Sequence, residues 1–93
     1  MEGKIQTLHP QAGKTGRNIS KEKYELIKQT MLRILKEKPL THTELFEDIE
    51  KSLKNKFVGN ISWYAETVKL DLEARNIIKR TTDTDKLQKY TVK

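Results

Sequence analysis

Residues 68–80 read VKLDLEARNIIKR, and the pattern of apolar residues changes within this stretch. Val68 and Leu72 are four residues apart, the spacing that places two side chains on one face of a helix. Asn76 follows, and asparagine tolerates the left-handed conformation in which many helices end. Two isoleucines then begin a run of extended character. The stretch therefore predicts the end of a helix followed at once by a strand.

A second extended segment completes a predicted hairpin at the C-terminal side of this stretch. Residues 77–80 form the first strand of the prediction and residues 87–92 form the second. Thr82–Asp85 lie between them and consist of threonine and aspartate, which are suited to a turn. We therefore expect a β-hairpin that follows the helix without a linker.

Two helices are predicted further upstream. Ser20 is a suitable N-cap for the first, and Pro39 ends it because the residue before a proline is disfavoured in the α conformation. Thr41 and Glu44 have the spacing of a capping box, in which each side chain bonds to the backbone of the other residue. This pair predicts that a second helix begins directly after the proline.

The third helix is the one that ends near Asn76, and Asn60 or Ser62 is its expected N-cap. The apolar side chains of the three helices recur at helical spacing and predict one small core. The expected core residues are Tyr24, Ile27, Met31, Ile34, Leu35, Leu45, Phe46, Ile49, Leu53, Ile61, Tyr64, Ala65, Val68 and Leu72.

The N-terminal segment has a different composition. Residues 1–19 hold three of the four glycines, one of the two prolines and no helical period. We expect an extended, basic N-terminal arm that is ordered only if something packs on it. The predicted organisation is an arm over residues 1–19 and one α+β domain over residues 20–93.

The overall composition excludes several classes of protein. The 93 residues include no cysteine, which excludes a disulfide scaffold, a thiolate metal site and a cysteine nucleophile. Hydrophobic residues make up 34%, and the longest apolar run is Trp63–Ala65. That run is too short for a membrane span or a signal peptide. We expect a soluble, cytoplasmic protein with a thin core and no contact with a membrane.

The order of three helices and a hairpin, together with residues 72–78, resembles the winged helix-turn-helix superfamily. In that superfamily the third helix ends in an L-E-x-x-G-hydrophobic-hydrophobic step into a hairpin called the wing. Asn76 stands here in place of the usual glycine. Residues 39–45 resemble the segment that leads into the superfamily's second helix, and the resemblance extends to small uncharacterised bacterial members with a basic N-terminal segment. It covers residues 20–93 and implies a role in transcription regulation.

The distribution of charge favours double-stranded DNA as a partner. The formal net charge is +6, with nine basic against four acidic side chains in residues 1–38 and five against two in residues 77–93. Such an excess at the arm and the wing suits contact with phosphates. The candidate nucleic-acid-binding residues are Lys14, Arg17, Thr41, His42, Thr43, Ser62, Lys69, Lys79, Arg80, Lys86 and Lys89.

The outward face of the third helix supports a second hypothesis. It offers no arginine, asparagine or glutamine to pair with base edges, and it carries Glu66. Its remaining residues form a mostly apolar stripe opposite the core, which needs cover. The stripe consists of Trp63, Thr67, Leu70 and Ala74. The cover would be the arm, with Ile5, Leu8 and Pro10 folded back over Trp63, or another chain in a protein-interaction or dimerisation module.

Catalytic and metal-binding motifs are absent from the sequence. His9 and His42, the two histidines, are 33 residues apart and lack the spacing of a metal site. Gly13-Lys14-Thr15 ends like a P-loop, but Leu8 stands where the first glycine belongs. A backbone anion nest at residues 13–16 stays open as an alternative. We expect no enzyme activity, no cofactor, no metal ion and no small-molecule substrate.

Overall fold

The structure, a computed structural model, describes residues 3–82 and 86–93, which form three α-helices and two antiparallel sheets. The elements in chain order are β1 (Lys4–Gln6), β2 (Asn18–Ser20), α1 (Lys21–Glu37), β3 (Leu40–Thr41), α2 (His42–Leu53), α3 (Ile61–Ala74), β4 (Ile78–Thr82) and β5 (Gln88–Val92). The predicted α+β class is confirmed. None of the helices in these ranges is both long enough and apolar enough to cross a membrane.

The helices begin where the predicted caps place them. The Ser20 hydroxyl accepts a hydrogen bond from the backbone of Lys23 and starts α1, which ends before Pro39. Both bonds of the Thr41–Glu44 capping box are present at the start of α2. Asn60 caps α3, so that of the two predicted candidates it is Asn60 that performs this role.

Asn76 ends α3 in the way that its residue type predicts. Its φ angle is +62°, in the left-handed region. The Asn76 amide donates to the Glu73 carbonyl at 3.1 Å, and the Ile77 amide donates to the Leu72 carbonyl at 2.9 Å. These two bonds form a Schellman motif, which turns the chain directly into β4.

The C-terminal hairpin belongs to a three-stranded sheet in the order β3-β5-β4. The hairpin itself is confirmed, while residues 83–85 of its predicted turn lie outside the described residues. Strand β3, which pairs Leu40 with Tyr90, has only two residues and gives no periodic signal in the sequence. Ile78 and Tyr90 of the sheet join the helices in one core. The buried hydrophobic residues are Ile19, Tyr24, Ile27, Met31, Ile34, Leu35, Leu40, Leu45, Ile49, Leu53, Ala65, Val68, Leu72, Ile78 and Tyr90.

The N-terminal segment does not project as the extended arm that was expected. Strands β1 and β2 pair with each other, with Ile5 opposite Ile19, and so fold residues 4–20 into a second hairpin. Ile19 is buried in the core and Ile5 packs against it. The segment is ordered because this pair of isoleucines buries apolar surface that an extended arm would expose to water. Since β2 runs into α1, the second hairpin is continuous with the helical part of the fold.

Candidate functional site

The loop between β1 and β2, residues 7–17, is here called the arm loop, and Asp71 of α3 fastens it to the rest of the molecule. One carboxylate oxygen of Asp71, Oδ1, accepts from the Leu8 amide at 2.8 Å and from Arg75 Nε at 2.9 Å. The other oxygen, Oδ2, accepts from the Tyr24 hydroxyl. Asp71 is 0% exposed. A single buried carboxylate therefore joins the arm loop to α1 and α3.

The protonation states of this cluster suit its structural role. Burial, and then the hydrogen bond to Asp71, raise the pKa of the Tyr24 hydroxyl well above its ordinary value. The hydrogen bond to Asp71 also raises the pKa of the Arg75 guanidinium. Tyr24 therefore remains a donor and Arg75 remains charged at neutral pH. The buried carboxylate is thus surrounded by groups that hydrogen-bond its charged form.

The two ends of the arm loop are joined by Thr7 and Arg17. The Thr7 amide and hydroxyl donate to the Arg17 carbonyl at 2.8 and 2.9 Å, and the Arg17 amide donates to the Thr7 hydroxyl at 2.6 Å. Gly16 lies against this junction, where an added Cβ would be 2.2 Å from Thr7 Oγ1. Any larger residue would collide there, so the close approach requires glycine.

The arm loop lies over the outward face of α3 and encloses a cleft of about 340 Å³. The cleft is lined by Leu8, His9, Lys14, Thr15, Gly16, Arg17, Trp63, Glu66, Thr67 and Leu70. A second cavity of about 410 Å³ shares Leu8, His9, Lys14 and Thr15 with the first and reaches Ala74. The arm loop therefore borders two cavities, which between them reach all four residues of the apolar stripe of α3.

The cover that the arm gives to this stripe is partial. Leu8 lines the cleft together with Trp63, Thr67 and Leu70, as the hypothesis of a folded-back arm supposed. Ile5 packs against the core instead, and Pro10 is exposed. Trp63 remains 43% exposed. Leu8 is thus the one residue of the three proposed ones that lies beside the indole in the described structure.

A chain of polar contacts connects the start of α2 to the sheet. Glu66 Oε1 is 3.3 Å from both His42 Nε2 and Lys69 Nζ. Lys69 Nζ also donates to the Tyr90 hydroxyl at 3.2 Å and lies 4.7 Å from the centre of the Tyr90 ring. His42 stacks on Phe46 with ring centres 4.0 Å apart. Glu66 therefore shares its charge between two basic side chains.

Lys69 was expected on an exposed flank of α3 as a groove contact, and that expectation is wrong. The residue is only 3% exposed. Its long stem crosses the buried zone between α3 and the sheet, and its ammonium group is satisfied there by Tyr90 and Glu66. A phosphate has no access to this ammonium group.

Three other predicted contacts have intramolecular partners. The Ser62 hydroxyl donates to Glu50 at 3.0 Å, and the Thr41 hydroxyl serves the α2 cap. Arg80 binds Glu73 through Nε at 2.6 Å, a hydrogen bond that raises the pKa of the Arg80 guanidinium. Thr43 lies exposed in the first turn of α2, beside the half-exposed His42.

Four predicted basic residues are exposed and outside these pairs. They are Lys14 and Arg17 in the arm loop and Lys79 and Lys86 in the C-terminal hairpin. Within residues 3–82 and 86–93, no carboxylate forms an ion pair with any of the four. Lys89 is half-buried, and its charge contributes to lowering the pKa of Glu44, after the stronger effect of the hydrogen bonds from Thr41.

Sequence reasoning missed Asp71, Thr7 and Tyr24 as residues that build the site. A signal for Asp71 was present, because it lies three residues after Val68 on the inner face of α3. Arg75 follows it by four residues, the spacing of a helical ion pair. Thr7 gave no such signal, because its partner is ten residues away across a loop.

Within the described part of the chain, no group of three or more histidine, aspartate or glutamate side chains is placed to hold a metal ion. The fold and the cleft define a small α+β domain whose N-terminal hairpin covers part of its third helix. The chain belongs to a family of unknown function (DUF6958), whose model matches residues 4–89. That range includes the N-terminal hairpin, all three helices and β4, and it ends within β5. No curated protein and no solved structure shows significant similarity to the chain.

Proposed function

We propose that the protein is a non-catalytic winged helix-turn-helix domain that binds double-stranded DNA through phosphate contacts, as transcription regulators of this kind do. The order of elements supports the winged-helix assignment, since α1 to α3 are followed directly by the β4–β5 hairpin. The Schellman turn at Asn76 occupies the position of the superfamily's glycine step. Such a role would place a bacterial protein in the cytoplasm, with the chromosome.

The observation that carries the proposal is the unequal pairing of acidic and basic groups around α3. Its three acids are neutralised internally, since Glu66 contacts His42 and Lys69, Asp71 contacts Arg75, and Glu73 contacts Arg80. Lys14 and Arg17 of the arm loop and Lys79 and Lys86 of the C-terminal hairpin form no ion pair with a carboxylate among the described residues. The positive charges of these basic side chains therefore remain available for contact with phosphates.

The mode of binding that fits this arrangement is contact with the backbone of the duplex. The arm loop covers much of the outward face of α3, and that face offers Glu66 in place of a residue suited to reading base edges. Contact then comes from Lys14 and Arg17 on one side and from Lys79 and Lys86 on the other. The first amides of α2 form the positive end of its helix dipole, which favours contact with a phosphate there.

Salt dependence tests this proposal. Four phosphate contacts predict that log K for a labelled duplex falls against log salt concentration with a slope of about −3.6. The slope should be nearly the same for unrelated duplex sequences, because the contacts do not read bases. Failure to bind any duplex at low salt would refute the proposal.

A matched pair of charge reversals locates the contact surface. K79E/K86E replaces two exposed lysines of the hairpin, and K51E/K54E replaces two at the C-terminal end of α2. The 12-residue α2 is about 18 Å long, so the second pair lies at the opposite end of α2 from the amides proposed to meet a phosphate. We expect K79E/K86E to weaken binding by about tenfold or more. Equal losses in the two variants would show attraction by net charge alone and no defined surface.

A protein-interaction module remains the alternative, and the exposure of Trp63 favours it. The indole is 43% exposed although Leu8 and Leu70 line the same cleft. A second copy of the chain or another protein would cover the rest. Sedimentation over a wide range of concentration tests the dimer, and Trp63→Ala should abolish it. A chain that stays monomeric throughout would exclude the dimer.

A further inference from the structure

We propose that the cleft between the arm loop and α3 binds a nucleoside monophosphate, with the base against Trp63 and the phosphate held by Lys14 and Arg17. No small-molecule substrate was expected from the sequence, because the lining residues of the cleft come from two segments about fifty positions apart. The cleft volume of about 340 Å³ lies at the lower end of the range for small-molecule sites. Its lining consists of apolar side chains and a few polar groups, among which positive charge predominates.

The apolar part of the cleft suits a flat aromatic ring. Trp63 forms one wall, and its partial exposure leaves indole surface on which a ring can stack. Leu8, which is 42% exposed, and Leu70 provide apolar contacts nearby. Stacking of a base on an aromatic side chain is worth about 1–3 kcal/mol in nucleic-acid complexes. A nucleobase would therefore gain most of its contact from this wall.

The polar part of the cleft suits a phosphate. Lys14 and Arg17 line it, and within the described ranges no carboxylate pairs with either. Glu66 is the lining's one acid, and its carboxylate is already shared between His42 and Lys69. A planar guanidinium beside an ammonium is a favourable pair for a phosphate, since the first binds two oxygens at once and the second adds charge.

His9 adds a defined hydrogen-bond donor to the same cleft. Its Nδ1 accepts from the Gln11 amide at 3.0 Å. A neutral imidazole that accepts at Nδ1 must carry its proton on Nε2. His9 therefore carries an N–H donor at Nε2 in this arrangement, and the side chains of His9 and Thr15 both line the cleft. Both groups can bond to phosphate or sugar oxygens.

The arm loop is held in a binding-ready shape by contacts outside the cleft. Asp71 holds the Leu8 amide, and Thr7 closes the loop against Arg17. A turn bond from the Lys14 amide to the Gln11 carbonyl, at 3.2 Å, orders the tip. A loop that is already ordered loses little conformational entropy when it binds a ligand. The phosphate-binding side chains thus project from a fixed backbone.

This inference is independent of the DNA proposal, although the two share Lys14 and Arg17. DNA contact requires the C-terminal hairpin as well, whereas the nucleotide site contains none of its residues. Replacement of Lys79 and Lys86 therefore separates the two. A protein that binds nucleotide but no duplex, or duplex but no nucleotide, supports one proposal and refutes the other.

Trp63 supplies the readout, because it is the only tryptophan in the chain. Titration with AMP should quench its fluorescence to saturation. Adenosine lacks the phosphate and inorganic phosphate lacks the ring, so each should bind about tenfold more weakly or worse. Absence of a saturable response to AMP, or equal affinity for adenosine, would overturn the proposal. So would a single-stranded adenine oligonucleotide that binds much more tightly than AMP, because the site would then be a strand site.

Two double variants complete the test by titration calorimetry with AMP. K14A/R17A removes both phosphate-binding side chains from an exposed loop, and we expect the affinity to fall about tenfold or more. K79A/K86A removes the same amount of charge outside the cleft and should leave the affinity within about twofold. Equal affinity in K14A/R17A and the wild type would overturn the assignment. Unfolding curves of both variants verify that the fold is kept.

Discussion

The two hairpins of the molecule both carry exposed basic side chains, but each hairpin is held in place by different contacts. The N-terminal hairpin has short strands, and its loop is fixed by the buried Asp71 and by the Thr7–Arg17 junction. The C-terminal hairpin is fixed by a ladder of five residue pairs and by pairing with β3. Two polar contacts also hold it to α3, the buried hydrogen bond from Lys69 to Tyr90 and the Arg80–Glu73 pair, whose arginine is partly exposed.

The comparison shows how a short polypeptide can order a loop without a large core. A backbone ladder distributes its stabilisation over many bonds, so the loss of one side chain costs little. A loop that depends on one carboxylate concentrates its stabilisation in a few buried polar groups. Single substitutions should therefore be more damaging at the anchors of the N-terminal hairpin than at those of the C-terminal one.

The largest effect is expected from Asp71→Ala. The substitution leaves the Tyr24 hydroxyl and the Leu8 amide without their acceptor and takes the partner from Arg75. Removal of one partner from a buried ion pair lowers the free energy of unfolding by about 3–5 kcal/mol. Urea unfolding should show most of this loss. Glu73→Ala is the control, because it removes the corresponding anchor of the other hairpin at an expected cost of about 1 kcal/mol or less. Equal losses would contradict the comparison.

A smaller loss is expected from Gly16→Ala. The new Cβ would lie 2.2 Å from Thr7 Oγ1 and 2.5 Å from the Thr7 carbonyl oxygen, so the loop junction must move. Overpacking of this kind costs about 1–3 kcal/mol, measurable by thermal unfolding. Gly3→Ala is the matched control, since nothing lies within 4 Å of a Cβ at that position. A change in stability that is the same for both glycines would show that the junction is unimportant.

Tyr24→Phe removes one hydrogen bond to Asp71 and keeps the ring. We expect a loss of about 1–2 kcal/mol at neutral pH, with the same urea unfolding as the measurement. The matched control is Tyr64→Phe, because the Tyr64 ring packs on Phe57 and Trp63 in edge-on contacts. A loss at Tyr24 no greater than that at Tyr64 would mean that the hydroxyl contributes nothing to the Asp71 cluster.

The same residue predicts a dependence of stability on alkaline pH. The pKa of Tyr24 is raised in the folded protein, chiefly by burial and then by the hydrogen bond to Asp71. Above about pH 10 the unfolded chain releases the tyrosine proton while the folded chain keeps it. The contribution of Tyr24 is therefore complete below that pH and declines as the pH rises further. Unfolding of the wild type and Tyr24→Phe on both sides of this pH should show a steeper decline in the wild type.

The smallest effect is expected from Arg80→Ala in the C-terminal hairpin. The pair with Glu73 has good geometry, but the arginine side chain is 43% exposed and solvent screens it. The expected cost is about 0.5–1 kcal/mol, and added salt should reduce it further. A loss greater than that of Gly16→Ala would mean that the C-terminal hairpin depends on the Arg80–Glu73 pair as strongly as the arm loop depends on its own anchors.

The parts of the fold that could be predicted depend on neighbours in sequence. The Thr41–Glu44 capping box and the left-handed Asn76 are local, and helical spacing identified the core residues of all three helices. Phe46, Ile61 and Tyr64 are only partly buried, which spacing alone cannot distinguish from full burial. Spacing also placed Lys69 on the surface, because helical spacing carries no information about the tyrosine 21 residues away whose hydroxyl accepts a hydrogen bond from the Lys69 ammonium group.

The candidate site was harder to predict, because its contacts join distant parts of the chain. Lys14 and Arg17 were identified from charge, and Trp63 from its place on the outward face of α3. Their meeting in one cleft depends on Asp71 and on the tight approach of Gly16 to Thr7, which no local pattern encodes. The sequence therefore named the cations and the indole but not the arrangement that makes a site of them.

The bond between Leu8 and Asp71 also constrains the order of events during synthesis. The two residues are 63 positions apart, so Leu8 leaves the ribosome long before its acceptor exists. The hairpin β1–β2 can pair early, but its loop cannot dock until α3 has been made. Contacts between residues so far apart in sequence form late, because closing the long loop between them costs conformational entropy. The arm loop thus completes its fold only after α3 has been synthesised, and the cleft forms no earlier than that.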